Sequence, residues 1–550
     1  MKTCGISLKG PEKHLHRDHI SMGGSNPAGT HISLNNYYLE MNHQPFFGIM
    51  GEIHFSRTNP DVWEDELLKM KNGGINIIST YLFWLHHEEE EGVFRWDGCR
   101  NVRLFAELCR KHDLFLVLRI GPFCHGEVRN GGLPDWLFGH PIQVRSNDPG
   151  YLAYAGRLYR EIGAQVSGLM FKDGGPIIGI QLENEHMHAG APWEMTVGNS
   201  SDWISSGSNG ESHILKLKEL AKDAGLDAPL YTCTGWGGAT SPEGEVLALW
   251  GGYAFRPWLF YEPISEHPAT EEYAFMDYHS NKAWSFNYDA KYNHEDWPYA
   301  CCEMGGGMSC FYPYRFTVPA ESVAAMAIIK IAGGCNLIGY YMYHGGTNPT
   351  GRHGAFLNEY ALPKLNYDYQ APLGEFGQTR DSYRRLKRLH AFLETCGTEL
   401  APMRTVLPEG ASAVDPHDVD TVRFAVRTSS GGGFLFLNNY QDHWEMHDQK
   451  DLRFLLELEG ETRSLPARGG LNLTKDTSCI LPFHFDLSGA HLNYATAQPI
   501  RHLTVDGEMY WFWYAPRGMT PEYCFDAASV AGIRTDFGTV CLSEGFKLFT

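Results

Sequence analysis

The chain has 550 residues, room for three or four domains at about 150 residues each, and a core of that size needs neither disulfide nor metal staple. Asp plus Glu number 65 and Lys plus Arg 45, and the resulting charge of −20 argues against nucleic acid or an anionic membrane surface as partner. Hydrophobic residues at 43% and charged residues at 20% exclude a disordered chain, and 13% aromatics suit either large cores or a site for sugar faces.

At the N-terminus no apolar run of 7 to 15 residues follows Lys2, so no secretory signal is read there, and residues 1–40 are taken as an extension. No stretch approaches 18 apolar residues, so no membrane span is expected. Thirteen cysteines, most inside apolar runs (Cys233, Cys335, Cys479), read as reduced core residues of a cytoplasmic protein. No C-x-x-C pair suggests a zinc ribbon, and the N-x-S/T matches at Asn199 and Asn472 carry no weight without secretion.

From 41 to 400 apolar strands alternate with helical patterns. FFGIMGEI (46–53) is strand-like, and Asn59-Pro60 then opens a helix with Trp63, Leu67 and Met70 on one face. INIISTY (75–81), a helix near 100–112, LFLVLRI (114–120), a helix through Leu152–Val166 and PIIGIQLENE (176–185) follow. A helix near His213–Ala224, LYTCTG, VLALW, PYACCE, the helix 319–334 and NLIGYYMY complete the series. Continuous apolar runs are what parallel strands buried on both faces require, and eight such units predict a (β/α)8 barrel of the α/β class. Only about ten residues separate LYTCTG from VLALW, short for a helical crossover. The aromatic-rich stretch 251–297 is assigned only to loops at the barrel mouth. Residues 401–550 carry short alternating strands (TVRFAVRT, GFLFLNN, LRFLLELE, CILPFHFDL, EMYWFWYA) and predict an all-β, sandwich-like region. It stops at GFKLFT, soon after another strand-like run and with no polar tail, as a truncated chain would.

Chemistry in a parallel barrel sits at the C-terminal strand ends. Those ends carry Glu52 and His54, Tyr81, Arg119 with His125 and Glu127, Glu183-Asn184-Glu185, Glu303, and Tyr341 with Tyr343 and His344. Acids there cost desolvation unless they are paired or used. Two carboxylates on facing strands are what glycoside hydrolysis needs, and Glu185 with Glu303 is the candidate pair. In a regular strand Glu183 and Glu185 share a face and Asn184 points away, so Asn184 and Glu185 reach the mouth together only where the strand bends or ends.

These residues resemble glycoside hydrolase family 35. GGPIIGIQLENE (174–185), GEIHFSR (51–57), TYLFWLHHEEEEGVFRWDG, RIGPFCHGEVRNGGLPDWL, YMYHGGTN and YDYQAPLGEFG match its motifs in order over roughly residues 40–400. His186 stands where the family has an aromatic, Leu85 where it has Asn, and Gly305 where an aromatic often follows the nucleophile. The resemblance implies a (β/α)8 barrel that cleaves terminal β-galactosides with retention. It makes Glu185 the acid/base, Glu303 the nucleophile and Asn184 the partner of the 2-hydroxyl, and it puts Tyr81, Glu127 and Tyr341 on the galactose.

The expected activity is a metal-independent, retaining exo-β-galactosidase with no cofactor and a β-galactoside as its partner; self-association into a homo-oligomer is left open. The nucleophile's charge is expected to raise the pKa of Glu185. Rival readings are an exo-hydrolase of another terminal β-sugar such as a β-glucosaminide, a silent carbohydrate-binding barrel, and a metal hydrolase using His54, His125 and Glu127. The rival reading of Glu127 is that it pairs with Arg119 or Arg129 and merely holds its loop. His86-His87 with Glu88–Glu91 reads as a solvated loop, and Cys301-Cys302 as packing on both sides of a buried strand.

Overall fold

The computed structural model describes residues 1–550 apart from 18, 192–206, 260–266, 281–287, 313, 360–361, 535, 537, 539, 544–545 and 550. Asn199 and parts of the 251–297 stretch therefore lie outside the described residues. Strands β1 (Lys2–Ser7), β2 (Gly23–Ser25), β3 (His31–Leu34), β4 (Leu39–Met41) and β5 (Gln44–Phe46) precede the barrel. The barrel closes through β6 (Gly48–Glu52), β7 (Ile77–Tyr81), β8 (Phe115–Arg119), β9 (Ile177–Gln181), β10 (Leu230–Thr234), β11 (Leu247–Gly252), β12 (Cys301–Gly305) and β13 (Leu337–Tyr341). All neighbouring pairs run parallel. Every residue of these strands except Phe115 is buried, Cys301 and Cys302 included, which is why the runs carry almost no alternation.

Helices follow β6 (Trp63–Asn72), β7 (Val102–Lys111), β8 (Pro149–Gln165), β9 (Glu211–Asp223), β12 (Ala320–Ala332) and β13 (Asp381–Leu400). The short link from β10 to β11 contains only the turn Trp236–Gly238, because so few residues cannot return as a helix along the outside of the sheet. Among the described residues neither this link nor the one from β11 to β12 contains an α-helix, and loops on this side supply site residues.

The C-terminal region is a sandwich. An eight-stranded sheet that begins at Arg404–Val406 faces a smaller sheet built on Gln449–Glu457. The chain's beginning is not a free extension: β1 pairs in parallel with Gln449–Glu457, and Ile6 and Leu8 join Phe424, Leu435, Phe454 and Leu481 in the sandwich core. Residues 23–46 form a separate antiparallel sheet whose Ile32, Leu34 and Leu39 belong to the barrel's core. Arg427, fully buried on the sandwich, donates to the carbonyls of Ile331 (2.8 Å), Leu400 (2.8 Å) and Met403 (2.9 Å). It satisfies carbonyls at the ends of two barrel helices, where a cation also meets the helix dipole, and so fixes barrel to sandwich.

The loop after β7 differs from the solvated loop expected. His86, His87 and Glu88 are buried. Ser56 meets His86 (2.9 Å), the Arg95 carbonyl meets His87 (3.1 Å), and Glu88 accepts from Trp84 (2.7 Å) and Arg157. The first part of the run is buried because one nitrogen of each histidine and both Glu88 oxygens find a partner, while Glu89–Glu91 stay at or near the surface.

Candidate active site

Tyr81, Glu127, Asn184, Glu185, Glu303 and Tyr341 all line one cavity of about 390 Å³ at the C-terminal mouth of the barrel. The strand that supplies Asn184 and Glu185 ends at Gln181, and the backbone beyond it is left-handed at Glu183 (φ 56°) and Glu185 (φ 48°). Non-glycine residues enter that region at about 1–2 kcal/mol each. The kinks bring both Asn184 and Glu185 to the mouth and turn Glu183 aside, so the alternation of a regular strand does not apply. Thr234 receives the Glu185 backbone N–H (2.6 Å). Glu183 accepts the Asn184 N–H (2.8 Å) and two bonds from Arg145 (2.7 and 2.8 Å).

Burial alone would push the Glu183 carboxyl up, but Arg145 and then His186 outweigh it and hold it down at about 2, against 4.5 for a free glutamate. A depressed carboxyl stabilises the fold fully above its unfolded value and loses that contribution as pH falls through about 2. Glu183→Gln leaves Arg145 short of its counter-charge and is expected to cost about 3–5 kcal/mol near pH 7, as for other broken buried pairs. Urea melts at several pH values check this, and the gap to wild type should narrow as pH drops.

The loop after β8 is left-handed at His125 (φ 58°), Gly126 (φ 58°) and Glu127 (φ 50°). A Cβ on Gly126 would sit 2.4 Å from the Phe83 ring, so only glycine lets the loop pack this closely. Arg57 donates to the carbonyls of Gly126 (2.7 Å) and Glu127 (3.2 Å) and holds the turn from below. Glu127 accepts from the hydroxyls of Tyr341 (2.9 Å) and Tyr367. Arg119 turns instead to Glu52 (3.3 Å) and Glu303, and Arg129 reaches Asp135 (2.9 Å). Glu127 thus keeps its carboxylate on the cavity wall.

Glu303 accepts from Arg119, from Tyr81 (3.3 Å) on one oxygen and from Tyr253 (3.2 Å) on the other. Tyr253 explains the glycine two residues after Glu303: a Cβ at Gly305 would lie 3.1 Å from the Tyr253 ring. Tyr253 follows directly on β11 and brings an aromatic hydroxyl to Glu303 from the end of that strand. Glu185 accepts from the Trp236 indole N–H (3.0 Å) and faces His125, whose Nδ1 is 3.7 Å from its second oxygen.

The charges of the two glutamates run opposite to expectation. Burial pushes Glu303 up to about 7, with Arg119 opposing and Glu185 adding to the rise. Burial also acts on Glu185, but His125, His188 and the Trp236 N–H outweigh it and hold this carboxyl below its ordinary value. The reason is His125, which lies beside Glu185 and whose influence the sequence did not advertise.

Arg119, His125, Trp236, Tyr253, Tyr367, Tyr369 and Glu359 complete the site. Of these, Arg119 and His125 were visible as strand-end residues and Tyr367 and Tyr369 within YDYQAPLGEFG. Tyr253, Trp236 and Glu359 sit in loops with no periodic signal. The proposed metal trio of His54, His125 and Glu127 is not brought together. His54 lies between Glu52 (3.3 Å) and Arg57 (2.8 Å) and is held down to about 4, chiefly by burial, so it is neutral. Among the described residues Glu183, His186 and His213 are close enough to be weighed as metal ligands, but Arg145 already occupies both oxygens of that carboxylate.

The family model described as glycosyl hydrolases family 35 matches residues 38–236 and 253–393, more than half of the chain. The chain belongs to this family. It is 30% identical over 351 residues to beta-galactosidase 11 of Oryza sativa subsp. japonica, covering 63% of this chain and 35% of that protein. The beta-galactosidase of Canis lupus familiaris is 30% identical over 352 residues, 63% of this chain and 46% of that one. Beta-galactosidase 17 of Arabidopsis thaliana is 28% identical over 433 residues, 74% and 56%. The chain therefore spans between about a third and just over half of the length of these curated relatives. The family 35 match itself covers the barrel and leaves the sandwich outside.

Proposed function

We propose that this family 35 chain is a retaining exo-β-galactosidase that removes terminal non-reducing β-D-galactosyl residues by double displacement. The observation that carries the reading is that Glu185 and Glu303 enter one cavity from β9 and β12 with different partners. Two carboxyls so placed can divide the work: Glu303 attacks C1, and Glu185 serves the leaving oxygen and then the water. Asn184 is assigned to the 2-hydroxyl, and Tyr81, Glu127 and Tyr341 to the sugar. The names of the rice, dog and Arabidopsis relatives support galactose. The cysteines with described side chains are all free thiols, which supports a reducing, cytoplasmic setting.

The test is hydrolysis of a panel of β-galactosyl disaccharides and aryl glycosides, followed by NMR. The β-anomer as first product supports retention; the α-anomer removes double displacement. Because Glu303 must be ionised to attack, kcat/KM should fall as pH drops through about 7. A second reading has one observation behind it. Glu127, Glu185, Glu303 and Glu359 all line the cavity, and four carboxylates would suit a cationic β-glucosaminide. Faster turnover of the aryl glucosaminide than of the galactoside would favour it.

Galactose differs from glucose in the direction of the 4-hydroxyl, and a buried polar partner aimed at it discriminates because the wrong epimer leaves that partner unpaired. Glu127 is assigned this part, since its two tyrosine donors hold it on the cavity wall. Glu127→Gln should lower kcat/KM on β-galactosides by about 10–100-fold and narrow the galactose-over-glucose ratio. Equal loss on both sugars would mean that Glu127 supports its loop and does not read the 4-hydroxyl.

A further inference from the structure

His125 is held between two carboxylates. Its Nδ1 lies 3.7 Å from Glu185 and its Nε2 lies 3.3 Å from Glu359, which is fully buried. A neutral imidazole has one N–H and one lone pair. With acid oxygens at both nitrogens, a neutral ring would point its lone pair at a carboxylate, whereas the imidazolium donates to both. The left-handed backbone at His125 fixes the ring in this place, and Glu359 reaches it from the segment after β13.

We propose, building on the function above, that His125 and Glu359 form a proton-holding pair for Glu185, so that the proton given to the leaving oxygen is stored on the His125 ring. In the first half-reaction the C1–O bond to the leaving group breaks and a bond from C1 to a Glu303 oxygen forms. The Nδ1 proton crosses to Glu185 and from it to the leaving oxygen, and His125 is left neutral with Nε2–H on Glu359. In the second half-reaction water adds to C1 and the Glu303–C1 bond breaks. The water's proton passes through Glu185 back to Nδ1. Shortening 3.7 Å to hydrogen-bond contact takes less than about 1 Å. His125 acts through Glu185 and is a positioning residue.

The pair also accounts for the charge pattern of the cavity. Burial disfavours the imidazolium, but Glu359 and Glu185 outweigh it and raise the ring well above its ordinary value. The charged and titratable groups lining the same cavity are Glu185 and His188 beyond β9, Glu303 on β12, Glu359 after β13, Glu127 on the loop of His125 itself, and the hydroxyls of Tyr81, Tyr253, Tyr341 and Tyr369. The dyad of Glu185 and His125 gives up one proton, and with His125 able to hold it that loss is deferred to higher pH.

Two measurements decide the proposal. In the first, ¹⁵N-histidine NMR follows His125 in the wild-type protein and in Glu359→Gln. The ring should titrate above 6.5 in wild type and at least about one unit lower in the variant. Titration at or below 6.5 in wild type, or no change in Glu359→Gln, overturns the proposal. In the second, pH profiles of kcat/KM are compared for wild type and His125→Asn on an alkyl and a dinitrophenyl β-galactoside. The basic limb should move down by about one unit, with a loss of about 10–100-fold on the alkyl substrate and little on the dinitrophenyl one. An equal loss on both substrates with the limb unmoved would make His125 a packing residue and overturn the proposal. If wild type cleaves no β-galactoside, the assigned function fails, while the NMR titration still decides where the proton resides.

Discussion

Glu303→Ala should abolish turnover on every β-galactoside, whatever the leaving group. Without a carboxylate at this position no glycosyl-enzyme can form, and losing a nucleophile that acts as part of a unit costs about 10⁴-fold or more in kcat. The effect should be on kcat with substrate binding largely kept, because the sugar's other contacts at Tyr81, Glu127 and Tyr341 remain. The variant should also fold. Arg119, which loses one carboxylate, keeps Glu52 at 3.3 Å and the face of the Tyr81 ring at 3.8 Å. A melting temperature near wild type combined with undetectable turnover is the expected result. Residual hydrolysis within about 100-fold of wild type would mean that another group attacks C1.

Glu185→Ala should discriminate between substrates where Glu303→Ala does not. General acid catalysis is worth about 10²–10⁴-fold and matters most when the leaving oxygen is basic. Dinitrophenyl galactoside should therefore still glycosylate Glu303, giving a burst followed by a stall, while lactose-like disaccharides should lose about 10²–10⁴-fold in kcat/KM. Azide needs no general base. It should restore turnover of Glu185→Ala and yield β-galactosyl azide. Rescue of Glu303→Ala by azide to that same β-product would reverse the two roles.

The barrel was legible because parallel strands buried on both faces have little reason to carry polar residues until they end. Glu52, Arg119, Glu185 and Glu303 stood out against that background, and all of them meet at the mouth. Asn184 and Glu185 posed a contradiction that the sequence could not resolve, since nothing in QLENE announces left-handed backbone at Glu183 and Glu185; that conformation is imposed by Arg145 and Thr234 from other elements. Tyr253 and Glu359 were hidden for a different reason. Loops carry no periodicity, so which loop residue reaches a cavity depends on tertiary contacts alone. The same limit misled the reading of His86-His87-Glu88, where a charge run looked solvated although Trp84, Ser56 and Arg157 were waiting for it. The inverted charge pattern of the two glutamates follows from His125, whose position between Glu185 and Glu359 depends on residues far further along the chain.

Lys2 sits opposite Leu452 in the sandwich, with the barrel between them in the chain. A ribosome adding about 5–20 residues per second needs on the order of 20–90 s to travel from one to the other. Throughout that interval KTCGIS has no strand to pair with, while the barrel that follows it can already close. The sheet built on Gln449–Glu457 therefore waits on a strand made long before it. Cutting the gene near residue 400 would separate that strand from its sheet, so the sandwich expressed alone would lack Ile6 and Leu8 from its core. A circular permutant that places residues 1–10 after the last strand would bring the two together within seconds of synthesis.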